Sequence, residues 1–458
     1  MKTKIKSALS TLRRHGGALA LSGASQIVSS LTNFCIVLYL VRVLGKEDFG
    51  RYSLGFAAYL VLAAILAAMF AVQYVVNNPG CEEQARRPYA MHYVVAVVLT
   101  GLAIVVLAAL LGAGASMKGG LGHDVIELAL PVALTTLGFS TRDFAVRIAF
   151  VERRAKLAFA SNIIIATIVA VSFAAVWVLS VMPSASMALG IVAFSQLIGA
   201  AFILVSLNLP WRQFNLAGLH HAFVDSWQGG RWHALTSIVY SLRTQSHNFV
   251  ILPILGLAVL AEVNAARTLL APAVMALPPL YQVVMPRLAE RSANDAAGLL
   301  RTTCLTVGGL LAFSALYCGA LLLVLDWALP VALGASYAHL GPVVVAWCAV
   351  TVFLAARNGL TMGLEVRKAF SSLLTVNALA AVVAVGLVIS FSILWGGGGA
   401  VWALALAEMT LCLLLYRVLM LDFRRAKSSL PEDAPTSNSQ DVGGGSGDTL
   451  FSSPGSLR

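Results

Sequence analysis

The chain has 458 residues, of which 59% are apolar and only 11% charged, with a mean hydropathy of +0.85 and a formal net charge of +11. A soluble domain carries about 25% charged residues to keep its surface hydrated, so this composition excludes a soluble globular enzyme. The cations sit in short clusters between long apolar runs, with no basic patch interleaved with aromatics. That distribution excludes nucleic acid as the partner and points to the connecting loops of a polytopic protein in a lipid bilayer.

The first fifteen residues carry Lys2, Lys4, Lys6, Arg13 and Arg14 and lead into a full-length apolar run, the pattern of a retained first span rather than a cleaved leader. A span needs about 20 residues to cross roughly 30 Å of hydrocarbon. The sequence predicts twelve, at 17–40, 52–76, 89–111, 125–150, 157–181, 187–207, 232–255, 257–285, 299–325, 342–361, 370–394 and 399–421. The organisation expected is an N-terminal six-helix bundle over 1–207, a cytosolic central loop over 208–231, a C-terminal bundle over 232–425 and a disordered cytosolic tail over 426–458. Orientation follows from Lys and Arg. With the N-terminus inside, Arg86, Arg87, Arg153, Arg154, Lys156, Arg212, Arg287, Arg291, Arg367, Lys368, Arg424, Arg425 and Lys427 face the cytosol. Only Arg42, Lys46, Arg51 and Lys118 face the other side.

In the first span Ser22, Gln26, Ser29 and Asn33 fall on one helix face. The seventh span carries a denser polar run, Ser241 to Asn248. Two polar stripes, one opening each half, suit the walls of a central cavity, although small polar residues also mediate ordinary helix packing in membranes. A charge at the bilayer centre costs about 2.5–3.5 kcal/mol on insertion scales, so it faces protein or water. Counted from the predicted ends, Arg142, Arg243, Arg267 and Glu408 lie near midplane, and Asp143, Arg147, Glu262 and Arg357 nearer a surface. Asp143 and Arg147 are spaced for an i,i+4 ion pair, and Arg357 is placed to snorkel towards the cytosolic surface. Arg142, Arg243 and Arg267 are the expected phosphate-binding cations, being permanently charged and able to bind bidentately. Asp143, Glu262 and Glu408 are the acids available to exchange a proton or cation.

A weak internal repeat aligns Val43-Leu44-Gly45 with Ile254-Leu255-Gly256, and Glu152-Arg153-Arg154 with Glu365-Val366-Arg367. Two copies of six spans have the same orientation, related by an axis along the membrane normal, with a site between them. The six cysteines have no metal-ligand spacing, and His220-His221 reads as a solvated loop pair, so no metal is expected. No nucleotide-binding or hydrolase motif occurs, and the sequence calls for no cofactor and no catalytic residues.

Several motifs in order resemble the polysaccharide (Wzx-type) flippases of the MOP exporter superfamily. They are the stretch Val41 to Tyr52 (R-x-L-G-x-x-x-F-G-x-Y in the family), Val284 to Ala289 at the end of the eighth span, Gly334 to Ala338 before the tenth, and Gly398-Gly399-Ala400 before the twelfth. The resemblance covers about residues 17–421. It implies a V-shaped, all-α pair of six-helix bundles that moves an undecaprenyl-pyrophosphate-linked oligosaccharide across the bacterial inner membrane by alternating access. A polysaccharide polymerase and chain-length machinery would be the partners. The chain departs from the family where Asn248 replaces the acid late in the seventh span and where Ala261-Glu262-Val263 replaces G-x-Y. Two other readings compete. Another exporter of the same fold, a multidrug antiporter or a lipid II flippase, would need buried acids or two further spans. A membrane-embedded polymerase or ligase would need a sizeable outer loop.

Overall fold

The computed structural model describes residues 2–78, 85–116, 127–294 and 296–428, and every regular element among them is helical. The first half holds α1 (Lys2–Val43), α2 (Lys46–Asn77, with a π-helical turn at Ala67–Ala71), α3 (Arg86–Ser116), α4 (Ala129–Val151), α5 (Ala155–Val178) and α6 (Ala185–Leu207). The second holds α7 (Leu216–Thr268), α8 (Ala271–Asn294), α9 (Ala296–Leu323), the short α10 (Leu325–Leu333), α11 (Gly341–Val366) and α12 (Phe370–Ser428). From residue 429 onward the tail expected to be disordered lies outside the described residues.

Two of these helices are double. α7 turns back at Gly256 (φ 84, ψ 177) and α12 at Gly396 (φ 64, ψ −151), conformations that glycine alone holds without strain. With each divided at its glycine, and residues 257–268 continuing into α8, the described helices supply the twelve predicted spans. Among the described residues nine helices are individually long and apolar enough to cross a membrane, and α4 falls short because Arg142, Asp143 and Arg147 lower its hydropathy.

The weak sequence repeat has a structural counterpart. The α1–α2 turn at Gly45 corresponds to the break at Gly256, and the start of α6 at Ser184 to the break at Gly396. The α4–α5 turn closes on Arg153 at φ 59, and the α11–α12 turn on Lys368 at φ 58. In both, an amide reaches back five residues, Arg154 to the Ala149 carbonyl (2.7 Å) and Ala369 to that of Leu364 (3.0 Å). These pairs lie 211 to 215 residues apart, as expected for two similarly oriented copies.

α7 differs from the sequence reading. Residues 216–231, expected to be loop, form its first four turns, started by Asn215, whose Oδ1 accepts the Gly218 amide (2.6 Å). Ala222, Ser226, Gly230 and Ala234 recur at every fourth position, all buried, and let the backbones close up. A Cβ on Gly230 would sit 2.7 Å from the Met69 backbone of α2. His220 and His221 therefore stand on a helix, and His221 Nδ1 lies 3.1 Å from Asp225 Oδ2.

The bundle has two distinguishable ends, called here after Gly45 and Arg87. Exposed tryptophans mark both, with Trp177, Trp327 and Trp395 at the first and Trp211, Trp227 and Trp232 at the second, where amphipathic rings meet the headgroups. At the Gly45 end one apolar core joins the halves, with Leu40, Phe49 and Tyr52 packed together with Leu260, Val263 and Tyr337. Here α2 and α7 approach so closely that a Cβ on Gly50 would meet the Leu257 carbonyl oxygen at 2.2 Å. Towards the Arg87 end the cores separate. One gathers Phe70, Tyr74, Tyr93 and Phe144, the other Leu364, Leu411 and Leu415. A pair of bundles joined at one end and parting at the other is the V shape expected from the resemblance.

Candidate functional site

Three cavities lie along the inner faces of the V. The first, about 260 Å³, is shared by both halves. α1 contributes Asn33, α2 contributes Phe49, Tyr52 and Ser53, and the two segments of α7 contribute Gln245, Asn248, Asn264 and Arg267. The amides are chained: Asn264 Nδ2 donates to Asn248 Oδ1 (2.8 Å), and Asn248 Nδ2 to Gln245 Oε1 (2.8 Å). The Arg267 guanidinium lies 5.3 Å from the centre of the Trp347 ring, whose indole N–H is tied to the Val263 carbonyl (2.9 Å). Among the described residues no carboxylate pairs with Arg267, and no Asp or Glu lines this cavity. Its field is positive, set by one fixed cation against a polar wall.

The second cavity, about 310 Å³, belongs to the first half and adjoins the first through Leu60. Arg142 and Asp143 line it. Arg142 donates to Asn162, which in turn donates to the Ser25 carbonyl (2.7 Å) and hydroxyl (2.8 Å). Asp143 takes the predicted i,i+4 partner, Arg147, at 2.9 Å. The third cavity, about 390 Å³, lies in the second half, adjoins the first through Val274, and is lined by Tyr240, Tyr281, Arg357 and Asn358.

Arg243 lines none of these three cavities. Its side chain is 2% exposed and bound to Glu408, whose other oxygen lies 3.2 Å from Arg357 Nε. Arg243 on α7 and Glu408 on α12 stand thirteen and twelve residues from Gly256 and Gly396, about 18 Å at 1.5 Å per residue. Equal depth on packed helices brings them together. The expectation that Arg243 faces a solvated lumen is therefore corrected, as is that of Arg357 snorkelling to the surface, because the carboxylate on α12 holds both inside. Glu408 is locked between two guanidinium groups rather than standing free to exchange an ion. Glu262 is also placed differently: at the Gly45 end it takes Lys46 Nζ at 2.7 Å and His339 Nε2 at 3.2 Å, and it lines none of the three cavities. Of the polar stripe on α1, Asn33 reaches the shared cavity. Gln26 is exposed and bonds Ser30 (3.4 Å), Ser29 lines no cavity, and the side chain of Ser22 is outside those described.

Sequence reasoning missed Trp347, the floor on which Arg267 rests, and the Arg243–Glu408–Arg357 cluster. Part of the signal for the cluster was present, since Arg243 and Glu408 at matching depth in one half invite pairing, while Arg357 counted as nearer the surface. Trp347 had no signal, since a lone tryptophan in an apolar span reads as packing. Among the described residues no group of three or more His, Cys, Asp or Glu could hold a metal ion.

Solved structures share this architecture. An inward-facing multidrug resistance MATE family transporter of the MOP superfamily superposes with a TM-score of 0.70 at 13% identity, covering 90% of this chain and all of its own. The lipid II flippase MurJ, in an inward closed conformation, gives 0.69 at 12% identity over 89% of each chain. A MOP superfamily transporter from Pyrococcus furiosus gives 0.60 at 13% identity, covering 91% and 96%. No curated protein sequence matches the chain. Twelve spans in two repeated halves, with one cavity shared between them, are the fold of these structures. A sequence profile described as "Polysaccharide biosynthesis protein" matches residues 18–292, more than half of the chain, and the protein belongs to that family of Wzx-type flippases.

Proposed function

We propose that the protein flips an undecaprenyl-pyrophosphate-linked oligosaccharide across the bacterial inner membrane, for surface polysaccharide synthesis, with the pyrophosphate held at Arg267. The observation that carries this reading is the shared cavity, which draws on both halves and presents one cation with no acid beside it. A guanidinium resting on an indole keeps its fork free for two phosphate oxygens, and as the more weakly hydrated cation it suits a cavity cut into hydrocarbon. Chained amides on the two segments of α7, one of them Asn264 a turn from Arg267, offer hydrogen bonds for sugar hydroxyls. Arg142 lies in the neighbouring cavity, bound to Asn162 and outside the shared one, and is a cation the headgroup passes rather than one that holds it. The lipid tail stays in the bilayer while residues 1–207 and 232–425 rock between a state open at the Arg87 end and one open at the Gly45 end. The reaction changes the side on which the substrate lies and breaks no bond, so no catalytic residue is required. The N-terminus and the Arg87 end face the cytosol, where the loaded carrier lipid arises, and a polysaccharide polymerase with its chain-length machinery is the partner that follows.

The fold alone serves multidrug and lipid II transport too, but the family membership and a shared cavity lined by a cation and no acid favour the oligosaccharide. The test is complementation of a strain lacking its own flippase. Arg267→Gln is expected to abolish surface polysaccharide at normal membrane abundance, and Arg267→Lys to restore part of it, since the ammonium keeps the charge and loses the fork. Normal polysaccharide from Arg267→Gln would refute the assignment.

A further inference from the structure

A buried titratable group next to the shared cavity that the proposed transport leaves unused is His247. It is fully buried, and neither Nδ1 nor Nε2 has a hydrogen-bond partner. A buried polar atom without a partner costs folding free energy that a leucine in the same place would not. The ring packs edge-on against Trp347 with centroids 5.5 Å apart, and that indole is the one Arg267 lies over. Its near neighbours in sequence, Gln245 and Asn248, line the cavity. The imidazole and the cavity guanidinium thus share one aromatic partner at the base of the site.

The charges around it are few. On its own helix Arg243 stands one turn earlier and is committed to Glu408 of α12, whose second oxygen is taken by Arg357 of α11. Tyr240 lies two turns earlier, beside Arg243. On α11 the residue after Trp347 is Cys348, whose carbonyl accepts from Cys318 of α9. Arg267 is the unpaired charge closest at hand. The ring thus has one cation nearby, on the far side of the shared indole, and no free carboxylate beside it.

We propose that His247 is a substrate-linked proton acceptor supplying the second positive charge that a pyrophosphate diester requires. The diester carries two negative charges, and the cavity supplies one fixed cation. When the headgroup occupies Arg267, the field opposing an imidazolium reverses. One proton passes from water to a ring nitrogen, and the occupied site becomes neutral overall. When the headgroup leaves, the proton returns to water. A neutral occupied site crosses the low-dielectric interior more readily than a charged one. His247 acts through the field behind Trp347 rather than by touching substrate, so it is a positioning residue. This inference rests on the pyrophosphate reading above.

The experiment uses UDP-glucose, a soluble pyrophosphate diester that does not itself titrate in the histidine range, and the purified full-length protein. Binding is measured across about pH 6 to pH 8, and proton uptake is followed with an indicator dye in weak buffer. The wild-type protein is expected to take up close to one proton per ligand bound. Its affinity is expected to fall by up to tenfold per pH unit as pH rises, because the protonated form binds. His247→Gln should bind with no linked uptake and a flat pH profile. His247→Lys, which keeps a charge, should bind tightly with an equally flat profile. Arg267→Gln should lose binding throughout. A wild-type protein that binds without proton uptake overturns the role of His247 alone, as does His247→Gln keeping the wild-type pH profile. A wild-type protein that does not bind the diester overturns the pyrophosphate reading and this inference with it. Should His247→Gln fold poorly, the proton count of the wild-type protein and the profile of His247→Lys decide.

Discussion

Three arginines near midplane read alike in the sequence, and the fold gives them three different tasks. Arg267 faces the shared cavity, Arg142 is tied to Asn162 at the edge of another, and Arg243 is buried against Glu408. Depth along a helix was legible from counting, but azimuth was not, because these spans are apolar on nearly every face and give no stripe to orient them. What decides exposure is the partner across the bundle, and Glu408 lies 165 positions from Arg243. The pairing makes a definite prediction. Glu408→Gln leaves two buried guanidinium groups without their counter-charge, and breaking one side of a buried ion pair costs about 3–5 kcal/mol. A marked fall in the detergent melting temperature and in membrane abundance is expected. Replacing all three charges together, Arg243→Met with Glu408→Leu and Arg357→Met, should recover most of the stability, though not transport. Equal stability of Glu408→Gln and wild type in a thermal melt would contradict this account.

Among the elements, helices were read from length and hydropathy, and turns from glycine and charge. The breaks at Gly256 and Gly396 fall where the predicted spans end, because only glycine tolerates those backbone angles. The misread segment, 216–231, is polar enough to look like loop. Its helical nature lay in the fourfold spacing of Ala222, Ser226, Gly230 and Ala234, a pattern of small residues rather than of hydrophobicity. The ion cluster at the Gly45 end acts between elements: Lys46 at the start of α2 grips Glu262 beyond the α7 break, His339 adds a second contact, and Arg42 Nε donates to the Ala332 carbonyl (3.0 Å). A pair this exposed is worth about 0.2–1 kcal/mol. That shifts a two-state balance by about fivefold at most, enough to bias an equilibrium without locking it. Lys46→Glu should move the distance between spin labels on α2 and α10 towards the longer, open population. The exchange Lys46→Glu with Glu262→Lys should bring it back. An unchanged distribution in the single variant would mean that the apolar core alone closes this end.

For the molecule as a whole, the class, the number of spans and the twofold division were legible because a bilayer imposes a fixed span length and leaves few architectures. The positions of the cavities were not, since they depend on how far two packed halves part, which no local pattern records. Orientation remains a proposal that a direct measurement decides. With the six native cysteines replaced, Trp177→Cys should react with a membrane-impermeant maleimide added to intact cells, and His221→Cys only after permeabilisation. Labelling of His221→Cys in intact cells would invert the topology and, with it, the direction of transport.

The first segment of α7 runs unbroken from residue 216 to residue 255, about 60 Å at 1.5 Å per residue. At its start it is embedded among α2 and α3, where Ala222 joins the first half's core; at its far end Ile251 belongs to the core shared by both halves. A stiff rod pinned to different bodies at its two tips behaves as a seesaw. Prising apart one end of the V tilts the rod, and the tilt presses the opposite end together. In the cycle proposed above no separate timing device is then needed to keep both mouths from opening at once, and the seal becomes a matter of leverage.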